Sequence, residues 1–411
     1  MRRLCLTSLL LAFPLPALAA PSLPPEAAVV AALDGFPGVA AARARIDAAR
    51  AGAAMLTKGT HEVILSGSYV SRDVTNERRF DEFDGTISRA FRLPGKAALD
   101  RKAGALGVEV AQNRMEDTRH QAALMLSQLW FDWLAAGEIH RTDMASAGLL
   151  ERSLAAVKRR AQLRDAAMLE VEQARAAFEQ AQALAASSLA DREQARAVLA
   201  ATFPDLPLGD APPALGSPET PAMPIEQMRD LVIARSHEIR AADREAARLD
   251  TVAQRARKDR MADPSFGLRA FSERGGMERG AGLVMSIPLG GGYRKAVADQ
   301  AGAEASAGLL ELDLARRAVE AMAQGDLVSA RDRVGAWRGL AEAAITARQV
   351  AERTARGQEL GAIDLADVLA AHRLARDAER MEIMARTAAI RALMKLQIDA
   401  HVIWMAAGDQ D

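Results

Sequence analysis

Side chains able to do chemistry are few in this sequence, and their spacing does not assemble a catalytic site. The six histidines are His61, His120, His140, His237, His372 and His401, and no two stand three or four residues apart, the spacing that puts a metal-binding pair on one helical face. The only cysteine is Cys5. No G-x-S-x-G, no P-loop and no H-E-x-x-H occurs. Gly290-Gly291-Gly292 follows a strand-like segment and precedes a helical one, as a phosphate cradle would. It lacks the lysine–hydroxyl ending of the Walker motif, so a turn leaving a strand is the simpler reading. What remains are carboxylates beside two turn-like stretches. Asp165 and Glu170 follow Leu163-Arg164, and Asp364 and Asp367 follow Leu360-Gly361. On their own such acids suit the first turn of a helix, where the backbone dipole favours negative charge. The sequence therefore points away from an enzyme, with no catalytic residue, cofactor or metal expected.

The elements that carry these acids are unusual. Half of the 411 residues are apolar and about a quarter are charged, which excludes a disordered chain. Aromatics make up only 4%. Ala, Leu, Arg, Glu and Gln dominate the middle and the last third, the composition of long helices and coiled coils. A formal charge of −1 gives no basic face for nucleic acid.

Residues 1–20 read as a secretory signal. Arg2 and Arg3 precede the apolar Leu4 to Leu15, and Ala17-Leu18-Ala19 forms an A-x-A cleavage site. An N-terminal anchor helix is the competing reading, opposed by Pro14 and Pro16. Cleavage would remove Cys5 and take the formal charge to −3. No later segment holds eighteen consecutive apolar residues, so membrane contact would have to come from β-strands or a surface helix.

Proline placement organises the rest. None occurs between Pro94 and Pro204, and none after Pro288, leaving two stretches free to be helical throughout. The halves align with a shift of about 197 residues. Lys96-Ala97-Ala98 answers Arg294-Lys295-Ala296, Leu163 answers Leu360, Glu170 answers Asp367, and Val171 answers Val368. The expected organisation is a first repeat over 21–203, a proline-rich linker over 204–224, and a second repeat over 225–411. Each repeat begins with a helical run, Val39 to Met55 or Ile225 to Lys258. Each continues with two segments of period-two alternation: Glu62–Ser71 and Thr86–Leu93, then Ser265–Phe271 and Ala281–Leu289. Polar links, Arg72 to Asp84 and Ser272 to Gly280, join each pair. Two soluble hairpins packed on helices would show the same alternation. Four such strands cannot close a barrel, however, and open edges do not survive in lipid, so an exported chain would contribute them to a barrel shared among subunits.

Helices expected from Lys96 to Leu163 and from Arg294 to Leu360 would each span roughly 100 Å. The chain then turns and returns through Met168–Ala201 and Leu365–Met405. Gly361 suits a helix C-cap.

Taken together, the sequence resembles the TolC family of outer-membrane efflux proteins over essentially the whole mature chain. Three local patterns carry the resemblance. The run from Gly361 through Asp367-Val368-Leu369 to Ala371 resembles the family's G-x-x-x-x-x-D-V-L-x-A turn. Ile287-Pro288-Leu289-Gly290-Gly291-Gly292-Tyr293-Arg294-Lys295 resembles its strand-to-helix junction. Leu93-Pro94-Gly95-Lys96 is the first-half counterpart, in an L-x-G-K form resembling the heavy-metal efflux branch. The resemblance implies a mainly α fold with a membrane β-barrel contribution. Duplicated long-helix hairpins and four strands per chain would build a homotrimer with a 12-stranded barrel and an α-helical periplasmic tunnel. It implies an outer-membrane location, a periplasmic adaptor (membrane fusion) protein and an inner-membrane pump as partners, outer-membrane lipid as surroundings, and no cofactor. It places a periplasmic gate at Asp367, with Glu170 as its first-half equivalent and Asp364 and Asp165 as further charges. Ile363 and Ala370 depart from that pattern, which has an arginine and a second aspartate there. Two alternatives stay open: the duct of a type I protein secretion system, and an exported soluble coiled-coil scaffold.

Overall fold

The structure is a computed structural model and describes residues 23–404; the expected signal segment, residues 1–20, lies outside the described residues. In the first half, helices α1 (Glu26–Asp34) and α2 (Pro37–Lys58) lead to strands β1 (Val63–Asp73) and β2 (Arg79–Ala90), then to α3 (Lys96–Gln162) and α4 (Met168–Thr202). In the second half, α5 (Ile225–Arg235) and α6 (His237–Asp259) lead to β3 (Ser265–Glu273) and β4 (Glu278–Ser286), then to α7 (Gly292–Glu359) and α8 (Leu365–Asp399). Element order and length agree between the halves. α3 and α7 have 67 and 68 residues, and α4 and α8 have 35 each. Free of proline and rich in alanine, α3 and α7 each extend about 100 Å. No single helix among the described residues is long and apolar enough to cross a membrane.

Several boundaries differ from the sequence reading, four of them for a clear local reason. The helical run expected over Ile225–Lys258 breaks at Ser236, whose hydroxyl accepts the Ile239 N–H at 3.1 Å and caps α6. β2 and β4 begin earlier than expected, at Arg79 and Glu278, because the polar ends of the links pair in register, Asp81 with Ser71 and Glu278 with Glu273. The last helix stops at Asp399. His401 takes a left-handed φ of 53°, and the Val402 N–H returns to the Gln397 carbonyl at 3.1 Å, a Schellman ending. Arg235 then donates to the Ala400 and His401 carbonyls at 3.3 and 2.9 Å.

The chain packs as two compact units, each drawing on both halves. One contains Leu126–Pro221 and Ala330–Met394 with residues 23–32. Its interior includes Phe131, Trp133 and Leu134, all fully buried. The proline-rich segment is strapped to this unit. A Cβ on Gly137 would lie 2.1 Å from the Pro212 ring, so only glycine admits the strap here. Glu138 accepts the Leu215 N–H at 2.9 Å, and Arg386 donates to the Leu215 carbonyl at 3.1 Å.

The other unit contains Leu33–Met125, Ala222–Ser329 and residues 395–404. Small residues bring its helices close. Ala253 and Ala256 of α6 pack on Ala298, Ala301 and Ala305 of α7, and Gly104 of α3 meets Ala53 of α2. This unit holds one antiparallel sheet in the order β1-β2-β3-β4.

Candidate functional site

The sheet has two chemically distinct faces. Leu65, Ile87, Leu268 and Leu283 stand opposite one another in a row across all four strands. They are 80%, 47%, 60% and 88% exposed, which makes this an apolar surface left in solvent by the isolated chain. On the same face, two residues along, lie Val63, Phe266 and Met285, all exposed, with Arg89 as the one charge among them. Aromatic pairs border the band. The Tyr69 and Phe83 rings lie 5.2 Å apart at one end, and the Phe91 and Phe266 rings 6.0 Å apart at the other. Phe83 to Phe91 spans roughly 26 Å of extended chain, close to the height of the apolar band on a membrane barrel. The opposite face is mainly polar, with Ile64 and Val70 of β1 as exposed apolar side chains on it. It carries Ser66, Thr86 and Arg269 in one row and Ser68 and Asp84 in the next, with an Arg269–Asp84 ion pair between the rows. Phe271, on this face, lies over Gly280, whose missing side chain makes room for its ring.

The two strand-to-helix junctions are built differently. At the first, Gly95 takes φ 83°, and a Cβ there would meet the Lys258 ammonium at 2.3 Å. Lys96 is 1% exposed and donates to Asp263 at 2.7 Å, to the Met261 carbonyl at 2.7 Å and to Asp259 at 2.9 Å. Asp263 also accepts the Leu93 N–H and bonds His61, both at 2.9 Å. Alongside, Asp100 binds Arg92 at 2.8 Å and Arg255 at 2.7 Å, while Arg92 donates to the carbonyls of Leu56, Thr57 and Lys58 at the end of α2. The Pro94-Gly95-Lys96 sequence thus has a structural occupation in the chain's own packing. At the second junction, Pro288, Gly290, Gly291 and Gly292 are exposed, Gly290 has φ 87°, and Leu289 and Tyr293 stand out into solvent.

The two hairpin tips share one backbone solution. At Leu360-Gly361 the Ala362 N–H bonds the Gly357 carbonyl at 2.8 Å and the Gly361 N–H bonds the Gln358 carbonyl at 2.9 Å. At Leu163-Arg164 the Asp165 N–H bonds the Arg160 carbonyl at 2.9 Å and the Arg164 N–H bonds the Ala161 carbonyl at 3.0 Å. Both are Schellman turns with the left-handed residue at the same place, Gly361 at φ 74° and Arg164 at φ 61°. Ile363 folds back on Gly357, where a Cβ would lie 2.5 Å from Ile363 Cδ1. The position where the TolC pattern has an arginine is therefore an apolar clasp of the turn.

Four carboxylates sit at these tips in two electrostatic settings. Asp165 and Glu170 converge on Arg160, at 3.0 and 3.8 Å, and Glu170 also accepts the Ala167 N–H at 3.2 Å. The hydrogen bond that Arg160 donates to Asp165 leads the effects that hold the Arg160 guanidinium above its usual range. Asp364 precedes the first turn of α8 and Asp367 lies within it; both are exposed, and neither has an ion pair among the described residues. The tips are brought together by packing, since Val171, next to Glu170, and Leu365, between the two aspartates, belong to one apolar cluster with Leu154, Val157 and Ala174. Ala370, where that pattern has a second aspartate, is exposed. Sequence reasoning missed Arg160, because its five-residue spacing to Asp165 is not a helical contact. Among the described residues no three His, Cys, Asp or Glu side chains are grouped to hold a metal ion.

No protein-family model matches the chain, and no curated protein aligns with it. Solved structures do share its architecture, and the fold is that of bacterial outer-membrane channel proteins. The outer membrane protein VceC of Vibrio cholerae superposes with a TM-score of 0.75 over 91% of this chain and 95% of that chain, at 14% identity. The outer-membrane channel OprN gives 0.70 over 92% of this chain and 90% of that chain, at 18% identity. The open state of the MtrE outer membrane channel of Neisseria gonorrhoeae gives 0.70 over 91% and 88%, also at 18% identity.

Proposed function

We propose that the chain is one of three identical subunits of an outer-membrane efflux channel, and that it acts as a passive duct. The observation that carries this reading is the sheet. It has one apolar face and one polar face, and its outer strands, β1 and β4, each pair on one side only. Exposed backbone groups on an open edge are very costly in lipid, so such a sheet needs further strands to close. Three copies supply twelve strands, with the Leu65–Leu283 row towards lipid and the Arg269–Asp84 row towards the lumen. The long α3 and α7 then continue the wall as a periplasmic tunnel. A periplasmic adaptor and an inner-membrane pump complete the system, and the pump supplies the energy and selects the cargo. The agreement in element order and length between residues 21–203 and 225–411 supports an origin by duplication.

The hairpin tips are the gate in this reading. Arg160 already balances Asp165 and Glu170, so Asp367, with Asp364 beside it, carries the larger share of unneutralised charge. Copies of Asp367 around a three-fold axis form an acidic ring that favours cations. Because Ile363 closes its own turn, closure of this gate rests on packing and on Arg160.

Detergent-extracted mature protein should run at roughly three times 42 kDa and conduct ions in a planar bilayer. A stable, water-soluble monomer with no conductance would overturn the proposal.

A further inference from the structure

A groove of about 560 Å3 runs along α3 where α2 and α6 flank it. Small side chains build its floor. Gly104 of α3 meets Ala53 of α2, and Gly107 of α3 faces the stem of Arg248 on α6. The space over Gly52 of α2 is open, since a Cβ there would meet nothing within 4 Å. Ala49 of α2 and Ala103 and Ala111 of α3 continue the floor. α2 ends at the sheet and α3 begins there, so the groove has one end near the sheet and one away from it.

The two ends differ in chemistry. Met55 and Leu56 line the end near the sheet, and both are exposed. Arg45 of α2 and Arg114 of α3 line the other end, and α6 adds Arg248 and Glu245 to one wall. Arg248 donates to Glu245 at 2.8 and 2.7 Å. That bond leads the effects that hold the Glu245 carboxyl below its ordinary value, and the charge of Arg114 adds to them. Glu245 is thus answered within its own helix. Arg45 and Arg114 are exposed and form no ion pair among the described residues. Three arginines against one acid leave positive charge in excess beside an apolar floor. We infer that this groove binds a single-chain amphiphile with an anionic head. The head accepts from Arg45 and Arg114, as paired guanidinium donors suit a carboxylate. The alkyl chain lies over Gly52 and Ala53 towards Met55 and Leu56. From Arg45 to Leu56 the helix rises about 16 Å, the reach of one medium-length chain. The floor is only as wide as α3, so the two chains of a bilayer phospholipid do not fit side by side. The site is complete within one chain and does not depend on the channel reading.

Photolabelling tests this. Cells producing the full chain are incubated with a dodecanoate that carries a diazirine on its chain, then irradiated, and labelled peptides are identified by mass spectrometry. Parallel arms use the same chain with an alcohol head, and a phospholipid with the same diazirine chain. The dodecanoate probe should label α2 between Ala49 and Leu56 and α3 between Ala103 and Ala111, and excess dodecanoate should compete. Arg45→Ala combined with Arg114→Ala should cut groove labelling by roughly tenfold or more, whereas Arg45→Lys with Arg114→Lys should keep most of it. Gly52→Leu fills the open space, favours the helix and leaves the charges alone, and it should lower groove labelling to a similar extent. Labelling of the exposed Leu65–Leu283 row of the sheet should be equal in all variants, because it reports general apolar partition. Groove labelling by the alcohol probe at the level of dodecanoate overturns the anionic head. Groove labelling by the phospholipid probe in preference to dodecanoate overturns the single-chain ligand. Unchanged groove labelling in both the paired alanine substitutions and Gly52→Leu overturns the site.

Discussion

Lys96 and Asp263 lie 167 residues apart in sequence and are joined by a 2.7 Å hydrogen bond at the foot of the sheet, where the lysine is almost completely buried. Through this bond the start of α3 is fastened to the residues just before β3. Asp263 holds the Leu93 N–H as well, so one carboxylate organises both chain directions.

Removing the lysine's charge strands Asp263, which keeps only His61 and the Leu93 N–H, whereas Asp259 retains its ion pair with Arg255. Lys96→Met should destabilise the protein by about 3 kcal/mol, the usual cost of breaking a buried ion pair from one side. Adding Asp263→Asn should recover part of that loss. Thermal unfolding of the purified protein checks both. An unchanged midpoint in Lys96→Met would mean that the cluster is effectively solvated.

The two hairpin tips predict opposite signs for similar substitutions. Gly361 has φ 74° and nothing within 4 Å of where a Cβ would stand, so Gly361→Ala should cost about 1 kcal/mol through backbone strain alone. Arg164 sits at φ 61° with a side chain, and Arg164→Gly should be neutral or stabilising by up to about 1 kcal/mol. Gly357→Ala should be worse than Gly361→Ala, because its Cβ would press on Ile363. Protease susceptibility of the tips ranks the three variants.

Burial pushes the Asp326 carboxyl up to about 6, with the neighbouring Asp399 adding to the rise and the Lys395 bond opposing it. Asp399 stays low despite its own burial, held by His120 at 3.0 Å and by Lys395. A raised carboxyl favours the fold fully below its ordinary value of 3.8, and that contribution is lost as pH rises through about 6. Asp326→Asn should therefore gain stability relative to wild type between pH 4.5 and 7. The gain should be about 1 kcal/mol after allowance for solvent screening. Denaturant midpoints at the two pH values measure it, and parallel shifts in both proteins would contradict the assignment.

On the proposed gate, Asp367→Ala and Asp367→Asn beside the Leu360-Gly361 turn should each weaken block by a multivalent cation about tenfold, roughly 1.4 kcal/mol, and lower cation selectivity in single-channel recordings. Asparagine keeps the size and removes the charge, so agreement between the variants identifies charge as the cause. Glu170→Gln should act more weakly, because Arg160 already balances that acid. Wild-type block in both Asp367 variants would reduce Asp367 to a helix-terminal acid.

The long helices were legible from proline placement and alanine content to within a few residues, because both act on the backbone locally. Strand positions followed from period-two alternation, and the turns at Leu163 and Leu360 from the spacing of the repeat. Their edges were less legible. Arg79 to Asp84 reads as a polar link, and it becomes strand only because β1 offers a partner in register.

Contacts between distant residues left no trace in local pattern. His120, His237 and His401 read as isolated, yet the His401 ring lies 5.1 Å from His120 and 4.8 Å from His237. Lys96 finds Asp263, and Arg160 collects Asp165 and Glu170. Periodicity reports which face of an element is apolar, since every residue on that face meets the same kind of surroundings. Which charged group answers which is settled only when packing brings separate helices within about 3 Å, and nothing in the spacing of either partner encodes that meeting.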